Sequence, residues 1–440
     1  MLAALLLARS FAAEPADDPA FEATVVPWVR QVVEASTLKG YAELRGSYTD
    51  AAGTPWLLVE RLRPTVKIAP TDRFTFETTL EIHADQGRYA TAEAMDLVKE
   101  QLGDDLYALA LAASGCTEAD VAALTERQID GIGDVVGVDR LFIDVNLPAA
   151  DLRIGRQAVS WGSALVFNPT DVFAEVIVAE PWRERKGVDA ARLTVPLGQR
   201  AQVLGVIGAD GIPDGQIEHL RGGLRGTLST PRVGASAVVF TDGDRSFGGV
   251  DLKGDAGVGW WLEGGYNLDR SGDEPEGYAK ASLGLDYSFP VLQVLYVAAQ
   301  VSFDGSGLAP EDYDFTAAMS DGLVLGDCAT DDADDASATA STSRATMGRL
   351  YGVGVLNWSL TEDLSASATT LWNLADGTGL VFPSFGAKVG GRLSLNVGAQ
   401  FLLGKDGEFR PDPDDLAVPP LDLSPLFPTW TATAWARWAL

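Results

Sequence analysis

The stretch RFTFETTLEIHA, residues 73–84, carries the pattern that decides the fold. Phe74, Phe76, Leu80 and Ile82 fall on one parity, and Arg73, Thr75, Glu77, Thr79, Glu81 and His83 on the other. Side chains of an extended chain alternate between faces, so this reads as a strand with one apolar and one polar face. The same pattern returns in Arg392 to Leu403, Tyr278 to Phe289, Leu220 to Ser229 and Leu364 to Leu374. Such runs match the roughly nine to eleven residues that a tilted strand needs to cross a bilayer.

Following the period outward predicts strands at 38–49, 56–68, 73–84, 138–147, 151–160, 188–197, 201–209, 218–229, 232–241, 247–254, 257–268, 277–288, 291–303, 348–360, 363–374, 378–388, 392–403 and 428–440. Tight links such as Pro70-Thr71-Asp72 and Pro148-Ala149-Ala150-Asp151 alternate with long ones at about 85–136, 304–346 and 404–427. The expected fold is all-β, a single antiparallel transmembrane β-barrel of about 18 strands (16–18), with both chain ends on the short-turn side. Two short helices are expected within 91–115 and 117–129, which are rich in Ala, Leu and Glu. Acidic stretches, Asp331-Asp332-Ala333-Asp334-Asp335 and Asp412-Pro413-Asp414-Asp415, place most of the negative charge in loops.

A formal charge of −29 over 440 residues offers no basic face for phosphates, which sets nucleic-acid binding aside. No apolar run after the first residues is long enough for a helical span. Two cysteines and two histidines make no zinc cluster, and no cofactor is expected. Residues 1–13 read as the remnant of a secretion signal without its basic start, 14–37 as a periplasmic segment, and 38–440 as the barrel.

From Trp430 to Leu440 the even positions, among them Trp430, Trp438 and Leu440, are apolar. A final strand of this kind resembles the signal read by the outer-membrane barrel-assembly machinery, although such signals more often end in Phe. Tyr41, Trp56, Trp260, Tyr266, Trp358, Trp372 and Trp430 lie near strand ends, as an interfacial girdle would require.

Leu152-Arg153-Ile154-Gly155-Arg156-Gln157-Ala158-Val159-Ser160-Trp161-Gly162, followed by Phe167-Asn168-Pro169-Thr170-Asp171, is similar to a broad family of Gram-negative outer-membrane porins that includes the alginate-export barrels. The resemblance implies an outer-membrane channel whose constriction is folded from about 161–186. Parity puts Arg153 inward and Arg156 toward lipid, where an arginine is costly, so a bulge at Gly155 is expected to return Arg156 to the lumen. Pore-lining positions by parity are Arg61, Arg63, Lys67, Arg73, Glu77, Glu81, Arg153, Arg156, Arg192, Arg221, Arg225 and Arg232. Their basic excess suits small polar or anionic solutes, and pairing of Arg with Glu across strands as a rigidifying device is the alternative.

The competing functions are specific transport of an anionic polysaccharide, a plugged surface or adhesive barrel, and an outer-membrane hydrolase. The last would need a catalytic cluster around His83 or His219, and neither has one in sequence. Expected partners are outer-membrane lipid and lipopolysaccharide, the assembly machinery and a small solute. Cys116 and Cys328 fall in the two longest links and are expected to form a disulfide in oxidising surroundings, free loop thiols being the alternative.

Overall fold

The structure is a computed structural model that describes residues 35–51, 56–88, 97, 99–104, 107–108, 136–173, 185–209, 220–270, 276–313, 315, 346–418, 421–422 and 424–440. Eighteen strands form one antiparallel sheet that closes on itself. They are β1 Ser36–Thr49, β2 Trp56–Thr71, β3 Phe74–Arg88, β4 Val136–Asn146, β5 Asp151–Gln157, β6 Val188–Leu197, β7 Ala201–Ala209, β8 Leu220–Ser229 and β9 Val233–Thr241. The second half comprises β10 Arg245–Asp255, β11 Gly259–Asp269, β12 Glu276–Phe289, β13 Val294–Asp304, β14 Leu350–Ser359, β15 Leu364–Asn373, β16 Gly379–Val389, β17 Leu393–Leu403 and β18 Trp430–Ala439. Each strand pairs with its neighbours in sequence, and β1 pairs with β18 from Tyr41↔Ala439 to Thr49↔Thr431. Closure leaves no free edge, so every ladder group is paired without water, the condition for a sheet to sit in lipid.

All eighteen expected strands are present. The connections alternate as read: at one end every link is two to four residues long, and both β1 and β18 have their terminal ends there. Every long link emerges at the opposite end. Of the first expected helix, the described residues show two i→i−4 bonds, from Gly103 N to Lys99 O and from Tyr107 N to Gly103 O. The second helix, the acidic run at 331–335, Cys116, Cys328 and His219 lie outside the described residues, as does the segment 1–34.

The wall is inverted relative to a globular protein. Leu44, Leu62, Leu141, Ile143, Ile154, Leu193, Ile207, Leu224, Val239, Leu262, Leu283 and Val301 all point outward and are exposed. Residues of the opposite parity on the barrel strands, including Glu43, Arg61, Arg63, Arg140, Asp251, Glu263, Ser282 and Gln300, are buried on the inside. A continuous outward belt of this size is tolerated only against lipid or another protein. Aromatics bracket it: Phe74, Tyr287, Phe289 and Trp438 at the short-turn end, and Tyr48, Trp56, Tyr266, Phe303 and Phe401 at the other. Among the described residues no helix is long and apolar enough to cross a membrane. Tyr41 departs from the expected girdle. It lies opposite Arg63 on the inner face, with the Arg437 guanidinium 4.2 Å from its ring centre.

Candidate functional site

Strand β5 ends at Gln157, three residues short of the expected 160, because the chain there turns into the barrel. The side chain of Gln157 is fully buried and donates to the Ala190 carbonyl at 2.9 Å, fixing the departure point. Residues 158–173 then cross the lumen. At the near wall Val159, Trp161 and Phe173 pack with Val206, Val238, Phe240 and Phe247 from β7, β9 and β10. At the far wall Leu165, Val166 and Phe167 pack on Tyr351, Val353 and Leu371 from β14 and β15, the cluster that Leu380 of β16 also packs against. Phe167 and Tyr351 ring centres are 4.9 Å apart. Strand β14 lies halfway round an eighteen-strand ring from β5, so one short segment bridges the two sides.

Three inward side chains receive the backbone of this segment. Glu263 on β11, fully buried, accepts from the N–H groups of Ser163 and Ala164, from Thr170 Oγ1 at 2.9 Å and from Thr170 N at 3.4 Å. Gln300 on β13 accepts from Leu165 N at 2.7 Å and donates to the Phe167 carbonyl at 3.0 Å, while Ser282 on β12 donates to the same carbonyl at 2.8 Å. The carboxyl takes all four of these contacts and donates none, so its donors stand in for the water it has lost. At the neck, Asp171 accepts from Trp161 N at 3.0 Å and pairs with Arg185 on the return toward β6. Burial lowers the Arg185 pKa and the nearby Glu263 charge opposes that shift. Gly162, at φ +89°, is enclosed by Asn168, Glu263 and Thr170, so a side chain there would break the cradle.

The wall from β18 to β6 carries a chain of ion pairs. Arg437 Nη2 lies 2.6 Å from Glu43, and Glu43 lies 3.5 Å from Arg61. Arg61 is 3.1 Å from Glu81, which is 3.9 Å from Arg63. Arg63 pairs with Asp139, and Asp139 is 2.8 Å from Arg140. Arg140 also donates to the Arg185 carbonyl, so the chain runs from the β1/β18 seam to the neck of the crossing segment. Arg153 forks onto Asp144 at 2.6 and 2.8 Å and stacks on Phe142. Arg192 faces Arg153 across β5 and β6, and Lys67 faces Glu77 across β2 and β3. On the other side Arg225 binds Asp251 at 3.1 Å and Ser236 at 3.0 Å, and Arg221 shares its parity. His83 is inward, opposite Arg61.

Expected pore residues Arg61, Arg63, Lys67, Glu77, Glu81, Arg153, Arg192, Arg221 and Arg225 thus share the inner face. Three others do not. Arg73 lies in the exposed β2–β3 turn, where the ladder has ended, and Arg232 lies in the exposed β8–β9 turn. Arg156 stays outside: the β4–β5 and β5–β6 registers run through Gly155 unshifted, leaving Arg156 on the face of Ile154, 53% exposed, and opposite Leu141, 44% exposed. There is no bulge. Instead Asp189, opposite on β6, pairs with Arg156 at 3.2 Å. Two residues from the long-loop end of β5, an outward arginine costs only about 0–1 kcal/mol. Glycine is required at 155 for a different reason: φ is +120°, and a Cβ would meet the Leu141 carbonyl. Trp430 and Trp438 fall on the outer parity of β18, and Trp438 and Leu440, the residue after the strand, are exposed.

Sequence reading missed the inward Arg45, Arg140 and Arg437 and the anchoring role of Glu263. The three arginines were within reach of parity. No local signal ties Glu263 to a segment about a hundred residues earlier.

Fold and site together define a closed transmembrane-type β-barrel with one connection folded across its lumen and an arginine-rich inner wall. No protein-family model and no curated protein sequence matches the chain. Solved structures do match over nearly its whole length. Pseudomonas aeruginosa OccK5 (OpdH) aligns at a TM-score of 0.52 and 9% identity, over 92% of this chain and 98% of that one. Pseudomonas aeruginosa OccK2 (OpdF), in complex with glucuronate, aligns at 0.52 and 9%, over 92% and 96%. The outer membrane protein OprD of the same organism aligns at 0.51 and 8%, over 92% and 94%. At such identities the likeness is one of fold. The alginate-export part of the resemblance drawn from residues 152–171 receives no support from these matches.

Proposed function

We propose that this chain is an outer-membrane channel for passive passage of small polar or anionic solutes. The observation that carries the reading is the segment 158–173, held across the lumen by Glu263, Gln300 and Ser282 opposite a wall with more arginine than carboxylate. Between β18 and β6, Arg437, Arg45, Arg61, Arg63, Lys67, Arg140, Arg153 and Arg192 outnumber Glu43, Glu77, Glu81, Asp139 and Asp144 on the inner face. Rings of one sign set the sign of the permeant ion. The fold is one on which OccK2 is seen with glucuronate, a carboxylate solute, which suits that sign. Export of the chain, insertion by the barrel-assembly machinery through the β18 face, and outer loops set in lipopolysaccharide belong to the same reading.

Reversal potentials in a salt gradient test it. The wild type is expected to favour anions, and Arg221→Glu with Arg225→Glu to reduce that preference. Cation preference in the wild type would contradict it. The same recordings separate the alternatives, since a plugged adhesive barrel or a hydrolase gives no conductance steps.

A further inference from the structure

At the long-loop end of β14 and β15, a second buried carboxylate stands apart from the Glu263 cradle. Glu408, in the β17–β18 connection, accepts from Tyr351 Oη at 2.6 Å, from Asn373 Nδ2 at 2.8 Å and from Met347 N at 2.5 Å. These partners come from β14, from β15 and from the β13–β14 connection. Asn373 Nδ2 also donates to Tyr313 Oη at 2.6 Å, and Gly348 N donates to Tyr351 Oη. The turn between β15 and β16 closes the ring: Asp376 Oδ2 accepts from Glu408 N at 2.9 Å, and Thr378 Oγ1 accepts from Phe409 N at 3.1 Å. Asn373 and Thr378 are fully buried. Through its carboxyl and its backbone N–H, Glu408 ties the β17–β18 connection to β14, to β15, to the β13–β14 connection and to the β15–β16 turn. Beside it Phe409 packs in the same apolar cluster as Leu165, Val166 and Phe167 of the crossing segment. Phe315, Leu416, Tyr313, Met347 and Phe427 form a second apolar contact between two of those connections.

We propose that Glu408 is a positioning residue for the pore: its carboxyl seats the β17–β18 connection on β14, β15 and the β13–β14 connection, the same wall the crossing segment packs against, and the strength of that seat depends on pH. The seat itself follows from the contacts above, and its effect on permeation rests on the channel reading. The direction follows from the surroundings. The titratable groups facing Glu408 are Tyr351 from β14, Tyr313 from the β13–β14 connection and Asp376 from the β15–β16 turn. None is a cation, and among the described residues no lysine or arginine pairs with Glu408. A carboxyl withdrawn from water without a counter-charge and near another carboxylate prefers its proton. Burial, the largest cause, raises the Glu408 pKa above 4.5, and Asp376 adds to that, while the three donated bonds oppose it. With the connection lifted, Glu408 meets water and returns to the ordinary value. The seated form therefore binds the proton more tightly, so seating is favoured at low pH and weakened as pH rises through the raised value.

Hydrogen exchange of the intact protein in detergent, corrected for the intrinsic pH dependence of exchange, reads this directly. Amides of 374–378 and 404–412 are expected to gain protection as pH falls, by about tenfold for each unit by which seating raises the pKa. Barrel-strand amides are expected not to follow. E408Q, uncharged at every pH, is expected to hold the acid level of protection throughout. Y351F removes a donor to the ionised form and is expected to move the step to higher pH. A flat wild-type profile would overturn the proposal, as would an E408Q profile that keeps the wild-type step or a step unmoved in Y351F. None of these readings needs a conducting pore, so a failure of the channel assignment is seen separately, in bilayer recordings.

Discussion

Replacing Glu263 with Gln removes one charge while keeping the shape of the cradle that holds the crossing segment. The carboxylate takes four donated contacts from Ser163, Ala164 and Thr170 and makes none in return. A glutamine oxygen can still serve one pair, but its amide nitrogen must then face the other donors. A buried donor that faces an amide nitrogen in place of an acceptor loses its bond and stays out of water, at roughly 1–3 kcal/mol. With partial relief as Thr170 rotates its hydroxyl, the exchange costs about 2 kcal/mol. The ratio of seated to released segment then falls by roughly thirtyfold. Gln300 and Ser282 remain, so the segment is loosened and not freed. In single-channel recordings the variant is expected to show larger open-channel noise and added conductance sublevels, and the amides of 163–165 are expected to exchange correspondingly faster. Its heat-modifiable mobility on gels should be unchanged, because the strand ladders are untouched. Unaltered noise and unaltered exchange at those amides would refute the view that this carboxylate is the anchor.

Other perturbations test the wall and the seam. Glu43, with no solvent exposure of its side chain, holds Arg437 and Arg61 across the β18/β1/β2 seam. Glu43→Ala takes the carboxylate from Arg437 and leaves Arg61 with Glu81 alone, and is expected to lower the temperature at which the folded gel band converts to the unfolded one. Gly155→Val must leave its positive φ or push against the Leu141 carbonyl, so it is expected to reduce the yield of folded barrel sharply, whereas Ile154→Val on the lipid face should not.

Strand placement was legible because period two is strict where one face meets lipid and the other a charged wall: β3, β12 and β17 could be read directly. What blurred was the ends. Strand β5 was extended to 160 because Ala158, Val159 and Ser160 continue the alternation, while the turn inward is set by Gln157 bonding to Ala190 on another strand. Arg156 shows the reverse error. Parity placed it outside correctly, and the assumption that lipid cannot tolerate it led to a bulge that the unshifted register excludes. The missing consideration was Asp189, which only the β5–β6 register sets opposite. Arg73 and Arg232 were assigned by extending parity past the strand ends into turns, where it has no meaning. The inward path of the segment after β5 was implied by a resemblance, and its far anchors on β11 to β13 were not, since they lie about a hundred or more residues along the chain. The Glu408 clasp was equally hidden, because its partners come from two strands, a connection and a turn that are 30 or more residues away from it along the chain.

The account stands most directly on whether the folded barrel conducts. Purified chain that shows the heat-modifiable shift of a closed barrel, added to a planar lipid bilayer, is expected to insert and give discrete, reproducible conductance steps with a reversal potential on the anion side. A protein that inserts and keeps its folded mobility on gels but passes no current at any voltage would contradict it, leaving the crossing segment as a plug and the arginine wall as scaffold.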